Sequence, residues 1–173
     1  QQTHRTIATA TAVWNPKPWW TNRFTAGADW LRDENFKFFP KNSLGSYQGL
    51  SNTGDISQNR RGTERYTLDY LGDVTVGAGK DLTQHFSAGF QILDLRDEFV
   101  LATGQGLTVN SNNTVSAASS KSAAQGFVQT RSIGFLGQWQ GAWKDRVYVT
   151  AGARIDANSA FGNTKEWFFL PKL

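Results

Sequence analysis

Four stretches of this sequence carry residue types that could do chemistry, and each lacks something the chemistry requires. Gly77-Ala78-Gly79-Lys80 has the glycines and lysine of a phosphate-cradling loop. That loop needs a glycine five residues ahead of the Gly-Lys pair and a hydroxyl residue after it, whereas here those positions are Val74 and Asp81. A strand running into a short turn accounts for the stretch better. Asp94, Asp97 and Glu98, clustered with Arg96, offer carboxylate oxygens to a calcium ion, but such a cluster reads more simply as a solvated strand end entering a loop. His4 and His85 sit near different strand ends, and with no cysteine in the chain there is no thiol nucleophile and no thiolate zinc site. No serine stands in a nucleophile-elbow context, and Asn112-Asn113-Thr114 is only a formal glycosylation sequon. The sequence thus assigns no catalytic residue, no metal ligand and no cofactor, and an enzyme is not expected.

Charged residues of a second kind recur at even spacings: Arg65, Asp69 and Asp73 four apart, then Arg154 and Asp156 two apart. An even spacing puts the members of each set on one face of a strand, where they line an interior or pair across strands to fix register. The elements that carry them decide which interior that is.

With 173 residues, 39% hydrophobic and 13% aromatic, and with 17 glycines, the composition suits β-structure with frequent turns. Mean hydropathy is −0.47, a value that a membrane barrel shares with soluble proteins because its strands alternate apolar with polar residues. Nowhere do 18 or more apolar residues run together, so no transmembrane helix is expected. The net charge of +4 comes from scattered residues, which gives no reason to expect a nucleic-acid partner. No apolar core near the N-terminus marks a secretory signal, and methionine is missing even at position 1, so the sequence reads as an internal piece of a longer polypeptide.

Period-two alternation predicts six strands, near residues 4 to 14, 20 to 32, 62 to 79, 85 to 100, 127 to 143 and 146 to 158. Short connections with turn chemistry (15 to 19, 80 to 84, 144 to 145) alternate with long polar segments at 33 to 61 and 101 to 126. In an antiparallel up-and-down meander this places every short turn at one end of the sheet and every long loop at the other, the arrangement of a transmembrane barrel. The expected fold is therefore all-β, about six strands of a larger transmembrane β-barrel.

Face chemistry agrees. Tyr66, Leu68, Tyr70, Gly72, Val74, Val76 and Ala78 share one face, against Arg65, Thr67, Asp69, Asp73 and Thr75 on the other. Val147, Val149, Ala151, Ala153 and Ile155 likewise oppose Tyr148, Thr150, Arg154, Asp156 and Asn158. Aromatic residues gather at the short turns (Trp14, Trp19, Trp20, Phe86, Trp143), and with Trp30 and Trp139 they form a candidate interfacial girdle. From Trp20 to Trp30, ten residues at about 3.3 Å each and a tilt of about 40° rise roughly 25 Å, the height of an outer-membrane apolar band. Arg131 marks the upper limit of that band on its strand. Residues 4 to 14, which alternate Ala with Thr, and 93 to 100 do not declare their faces.

The most specific residues lie near the C-terminal end. Gly152-Ala153-Arg154-Ile155-Asp156 leads into Ala157-Asn158-Ser159-Ala160-Phe161-Gly162, and Leu170-Pro171-Lys172 follows. This resembles the barrel signature of SusC/RagA-type TonB-linked outer-membrane transporters, in which Gly-x-Arg-x-Asp ends a strand, x-x-Ser-x-Phe-Gly follows, and an aromatic-Pro segment opens the next strand. Ala157-Asn158 and Leu170-Pro171-Lys172 depart from the commoner Gly-Ser and Phe-Pro-Ser, as in a divergent branch. Residues 19 to 29 and 66 to 70 are similar in style to strands preceding the signature. The resemblance implies that residues 1–173 are part of a TonB-dependent-receptor barrel of about 22 strands, without its plug domain, in the bacterial outer membrane. It further implies contact with outer-membrane lipid, a TonB link through parts outside this sequence, a SusD-like lipoprotein partner, and import of a nutrient such as a glycan, peptide or chelate. Two other readings compete: a small outer-membrane barrel or subunit with a structural or adhesive role, and a soluble β-sandwich binding module.

Overall fold

Where apolar and polar residues alternate, a strand can turn one face to an apolar medium and the other to water, and neighbouring strands satisfy its backbone. In the computed structural model, which describes residues 1–43, 53–78, 81–144, 146–161 and 167–173, the chain forms seven such strands. They are β1 (Gln2–Lys17), β2 (Trp20–Phe39), β3 (Asp55–Ala78), β4 (Leu82–Leu107), β5 (Ala118–Trp143), β6 (Val147–Asn158) and β7 (Phe168–Lys172). All belong to one sheet in chain order, an antiparallel meander. β5 and β6 pair from Ser132↔Asn158 to Trp143↔Val147, and β6 and β7 from Gly152↔Lys172 to Asp156↔Phe168.

The strands are longer than alternation indicates. β2 continues to Phe39, β3 starts at Asp55, β4 reaches Leu107 and β5 starts at Ala118, so much of the two segments expected as loops is strand. A ladder joins backbone groups and is indifferent to side chains. Where both strand faces are polar the ladder persists while the period-two signal disappears. The extra strand, β7, contains Pro171 and lies at one end of the sheet order, and Pro16 lies in β1 at the other, positions where a missing N–H is tolerated.

Two compact units make up the chain, each with its own packing. The first comprises Gln1–Thr6, Trp30–Glu64 and Arg96–Val128. Its core is Ile56, Leu107 and Ala118, with Phe38 and Val115 packed against it. Gly54 and Gly106 adopt positive φ (83° and 74°), and the Gly106 and Leu107 N–H groups donate to the carbonyls of Gly54 and Thr53 at 3.0 and 2.9 Å. Asn110 clasps the backbone of Lys41, accepting from its N–H at 2.7 Å and donating to its carbonyl at 3.3 Å.

The second unit comprises Ile7–Asp29, Arg65–Leu95 and Gln129–Leu173. Its construction is different. Among the described residues of this unit Ala142 is the one buried apolar side chain, and none of them forms a second layer over the sheet. A soluble sandwich needs that layer. The sheet is also open, with β1 and β7 at its two ends, whereas a closed membrane barrel takes at least eight strands.

Candidate functional site

The second unit presents two faces of opposite chemistry. On the apolar face, Trp14 and Trp20 approach to 5.9 Å between ring centroids, Trp19 stacks on Trp20 at 6.3 Å, and Tyr70 lies between Phe24 (4.7 Å) and Phe90 (5.6 Å). Trp20, Tyr70, Val74, Phe86, Phe90 and Trp139 line one shallow groove. Ala8 and Ala10 of β1 sit beside Ala26, Ala28, Tyr66 and Leu68, which settles the facing of β1, while Thr11 meets Thr25 at 3.3 Å on the opposite side. Trp14, Trp19 and Trp143 remain 58%, 50% and 52% exposed, far more than soluble packing leaves for tryptophan. At the last short turn Lys144 lies 5.2 Å from the Trp143 ring centroid and 3.8 Å from Asp81. The structure therefore gathers Trp14, Trp19 and Trp20 at the first turn, with Phe86 and Trp139 along the groove. Trp30 belongs to the first unit.

Glycines on the apolar face are of two kinds. A Cβ on Gly137 would meet nothing within 4 Å, whereas one on Gly72 would lie 2.7 Å from the Tyr70 hydroxyl and one on Gly141 2.8 Å from the Trp139 ring. In both latter cases the aromatic residue two positions earlier on the same strand lies over the glycine. One polar residue is also sealed into this face: Asn22, 2% exposed, donates to the Trp14 carbonyl at 3.3 Å and accepts from the Tyr70 hydroxyl at 2.9 Å. Alternation places Asn22 on the apolar face, and nothing in the sequence announces its partners.

The opposite face carries the charges. Arg154 Nε donates to both oxygens of Asp156 at 2.8 and 2.9 Å, and its Nη2 reaches Gln91 at 3.1 Å. Gly134 across the ladder makes this possible, since a Cβ there would fall 2.2 Å from Asp156 Oδ1. Asp73 accepts from Ser87 at 2.5 Å, and Thr75 bonds to His85 Nδ1 at 3.0 Å. Asp69 joins Arg23, Gln91 and Arg154 around a hollow of about 150 Å³. Arg65 stays exposed with no ion pair among the described residues, so the five charges proposed from sequence do not form one network. Arg23, Gln91 and Gly134 complete the polar face and carry no motif that sequence reading could have used.

The signature residues serve local structure. Gly152 stands opposite Gln138, and a Cβ on it would crowd the Gly137 carbonyl at 3.1 Å. Ser159 Oγ accepts from the Arg131 N–H at 2.8 Å, Asn158 caps Ala160 at 2.9 Å, and Pro171 pairs with Ala153. Phe161 ends a 3-10 turn that starts at Ser159, and Gly162 lies outside the described residues, as do Gly79 and Lys80 of the glycine-lysine stretch.

The Asp94–Glu98 cluster is divided between faces rather than gathered at a strand end. Asp94 takes Arg131 Nε at 2.9 Å and Gln129 at 2.8 Å. In the first unit Asp97 receives Arg61 Nε at 2.9 Å, a second short bond from Arg61 Nη2, and Thr63 at 3.2 Å. The Arg61 hydrogen bonds hold the Asp97 carboxyl below the usual carboxylate range and in turn raise Arg61. Among the described residues no group of three or more acidic, His or Cys side chains could hold a metal ion.

An antiparallel meander sheet, aromatic on one side and charged on the other, has the fold of a β-barrel segment, and solved structures contain a segment of similar fold. The chain superposes on the RagAB peptide transporter with a TM-score of 0.86 at 13% identity. The RagAB peptide importer matches in its open-open state (0.85, 14%) and in its closed-closed state (0.80, 14%). Each match covers 96% of this chain and 19% of the other, so the chain spans about a fifth of those proteins. The shared property at this identity is the fold. No family model matches the sequence, and no curated protein matches it.

Proposed function

We propose that this chain is part of the wall of an outer-membrane, TonB-dependent transporter that imports a nutrient ligand. The observation that carries the reading is the second unit's sheet: no described residue forms a layer over its aromatic face, and its other face is held by side-chain pairs such as Arg154–Asp156 and Ser87–Asp73. In lipid such a face needs no second layer, and the ladders of β2 to β6, each with a neighbour on both sides, supply the backbone pairing that crossing hydrocarbon requires. Trp14, Trp19, Trp20, Phe86, Trp139, Trp143 and Trp30 then serve as interfacial anchors, while Arg65, Asp69, Asp73, Arg154 and Asp156 face the lumen.

The resemblance of residues 152 to 171 to the SusC/RagA signature and the fold shared with RagAB support the same assignment. On this reading the chain is one barrel portion, TonB acts on segments beyond it, and a SusD-like lipoprotein meets the long connections. A glycan, peptide or chelate are the ligand classes to test, and the peptide named for RagAB makes peptides the first choice.

The test is the intact mass of the protein from the native outer-membrane fraction, with peptide sequencing across both ends. A mass several-fold above 19.2 kDa, with peptides running past Leu173 into a further strand, is expected. A mass near 19.2 kDa in the soluble fraction would overturn the assignment.

A further inference from the structure

We propose that the hollow on the polar face of the second unit is a binding subsite for the last residue of a peptide, with Arg23 and Arg154 receiving its α-carboxylate and Asp69 its amide N–H. The inference rests on the transport reading above and narrows the ligand. Arg23 on β2, Asp69 on β3, Gln91 on β4 and Arg154 on β6 surround one space of about 150 Å³, and Leu71 and Leu136 give it an apolar wall. All of these residues belong to the second unit. A space of that size admits a group about as large as benzene. One sugar ring with its hydroxyls is larger, and a metal chelate larger still, whereas the end of a peptide with a small side chain fits.

The charges around the hollow are of two kinds. Arg154 is held in place: Asp156 takes its Nε at 2.8 and 2.9 Å, and Gln91 takes its Nη2 at 3.1 Å. These bonds fix the guanidinium plane, leave its remaining N–H donors for an incoming acceptor and cancel its charge. Arg23 and Asp69 are different. Arg23 is exposed and Asp69 half-buried, and neither joins a hydrogen bond or an ion pair among the described residues, although they carry opposite charges and line the same space. A wall whose charges served register alone would pair them across strands. An unpaired cation and an unpaired anion around one hollow suit a ligand that offers an acceptor and a donor together. The last residue of a peptide does so: its carboxylate accepts charge-assisted bonds from Arg23 and from the free edge of Arg154, its N–H donates to Asp69, and its side chain meets Leu71 and Leu136.

The experiment is isothermal titration of the full-length protein in detergent micelles with three probes: trialanine, trialanine amide, and trialanine N-methylated at its last peptide bond. The native protein should bind the free acid about tenfold or more tightly than the amide, the effect of one hydrogen bond to a charged group. Arg23→Gln should remove most of that preference while keeping the heat-sensitive gel mobility of the folded protein. N-methylation, which deletes the donor to Asp69, should weaken binding to the native protein about tenfold and make no further difference to Asp69→Ala. Equal binding of acid and amide by the native protein overturns the subsite. So does a preference that survives Arg23→Gln, or an N-methyl penalty as large in Asp69→Ala as in the native protein. Binding of none of the three peptides also overturns it and leaves the wall assignment standing, because that assignment is tested by mass and membrane fraction. A small chain in the soluble fraction that still prefers the free acid sinks the transport reading and keeps the subsite.

Discussion

Replacing Gly137 with arginine asks whether the aromatic face meets lipid or water. Gly137 lies on the apolar face of β5, six residues from Trp143 toward the short turn and six from Arg131 in the other direction. At about 3.3 Å per residue and a tilt of about 40°, each interval rises roughly 15 Å, which puts Gly137 near the middle of a hydrocarbon layer about 25 Å tall. A Cβ there meets nothing within 4 Å, so a new side chain suffers no clash and only the surrounding medium decides its effect. In water, arginine at an open strand position changes stability by no more than about 0.5 kcal/mol. At the bilayer midplane it costs about 2–4 kcal/mol, whereas leucine gains about 1 kcal/mol or more by contact with lipid. The two variants should therefore differ by roughly 3–5 kcal/mol. Equilibrium unfolding of the full-length protein in vesicles, followed by heat-sensitive gel mobility, measures the gap. Arginine and leucine both within about 0.5 kcal/mol of the native protein would refute the lipid assignment.

Three further outcomes follow from the geometry. Gly89→Ala should destabilise by about 1–3 kcal/mol or more, because its Cβ would lie 2.2 Å from the Tyr70 carbonyl oxygen, a backbone atom that cannot swing aside; chemical denaturation checks this, and a neutral result would contradict the β3–β4 spacing. Tyr70→Phe removes the donor to buried Asn22 and should cost about 1–3 kcal/mol, most of it recovered when Asn22→Leu is added; a double-mutant cycle with no coupling would disprove the pairing. Asp97, held below its usual range by Arg61, lies beyond the apolar register of β4, so its titration is that of a group in water. A depressed carboxyl contributes stability above its unfolded pKa, and that contribution fades as pH falls through the folded value, so Asp97→Asn should flatten the acid limb of a stability profile below about pH 4.

How much of this was legible beforehand depended on what each residue must satisfy. Tyr66 to Val76 and Val147 to Ile155 declared their strands because one face of each is apolar and the other polar at every second position. Ala8, Ala10 and Ala12 against Thr9 and Thr11 gave no such contrast, and only the neighbours Ala26 and Tyr66 show which way they point. The outer lengths of β3 and β5 escaped because residues such as Ser57, Asn59, Ser119 and Ser120 pair through their backbone with no hydrophobic rhythm. The small core of Ile56, Leu107 and Ala118 escaped for the converse reason: isolated apolar residues in polar runs have no period at all. Gly54 and Gly106 were its only available signals. The even spacing of Asp69 and Asp73, and of Arg154 and Asp156, was legible as one strand face each, but the partners Gln91 and Gly134 are set by cross-strand register, which composition does not encode.

The rings that lie over Gly72 and Gly141 bear on how this sheet changes through generations. Tyr70 and Trp139 occupy the volume that a side chain two positions later would need. A mutation at either glycine is therefore acceptable only in a descendant whose ring has already been replaced or turned away, and the two sites drift as a couplet. A library randomising positions 139 and 141 together should return glycine at 141 with an aromatic residue at 139, larger residues at 141 with small ones at 139, and few pairs that are large at both.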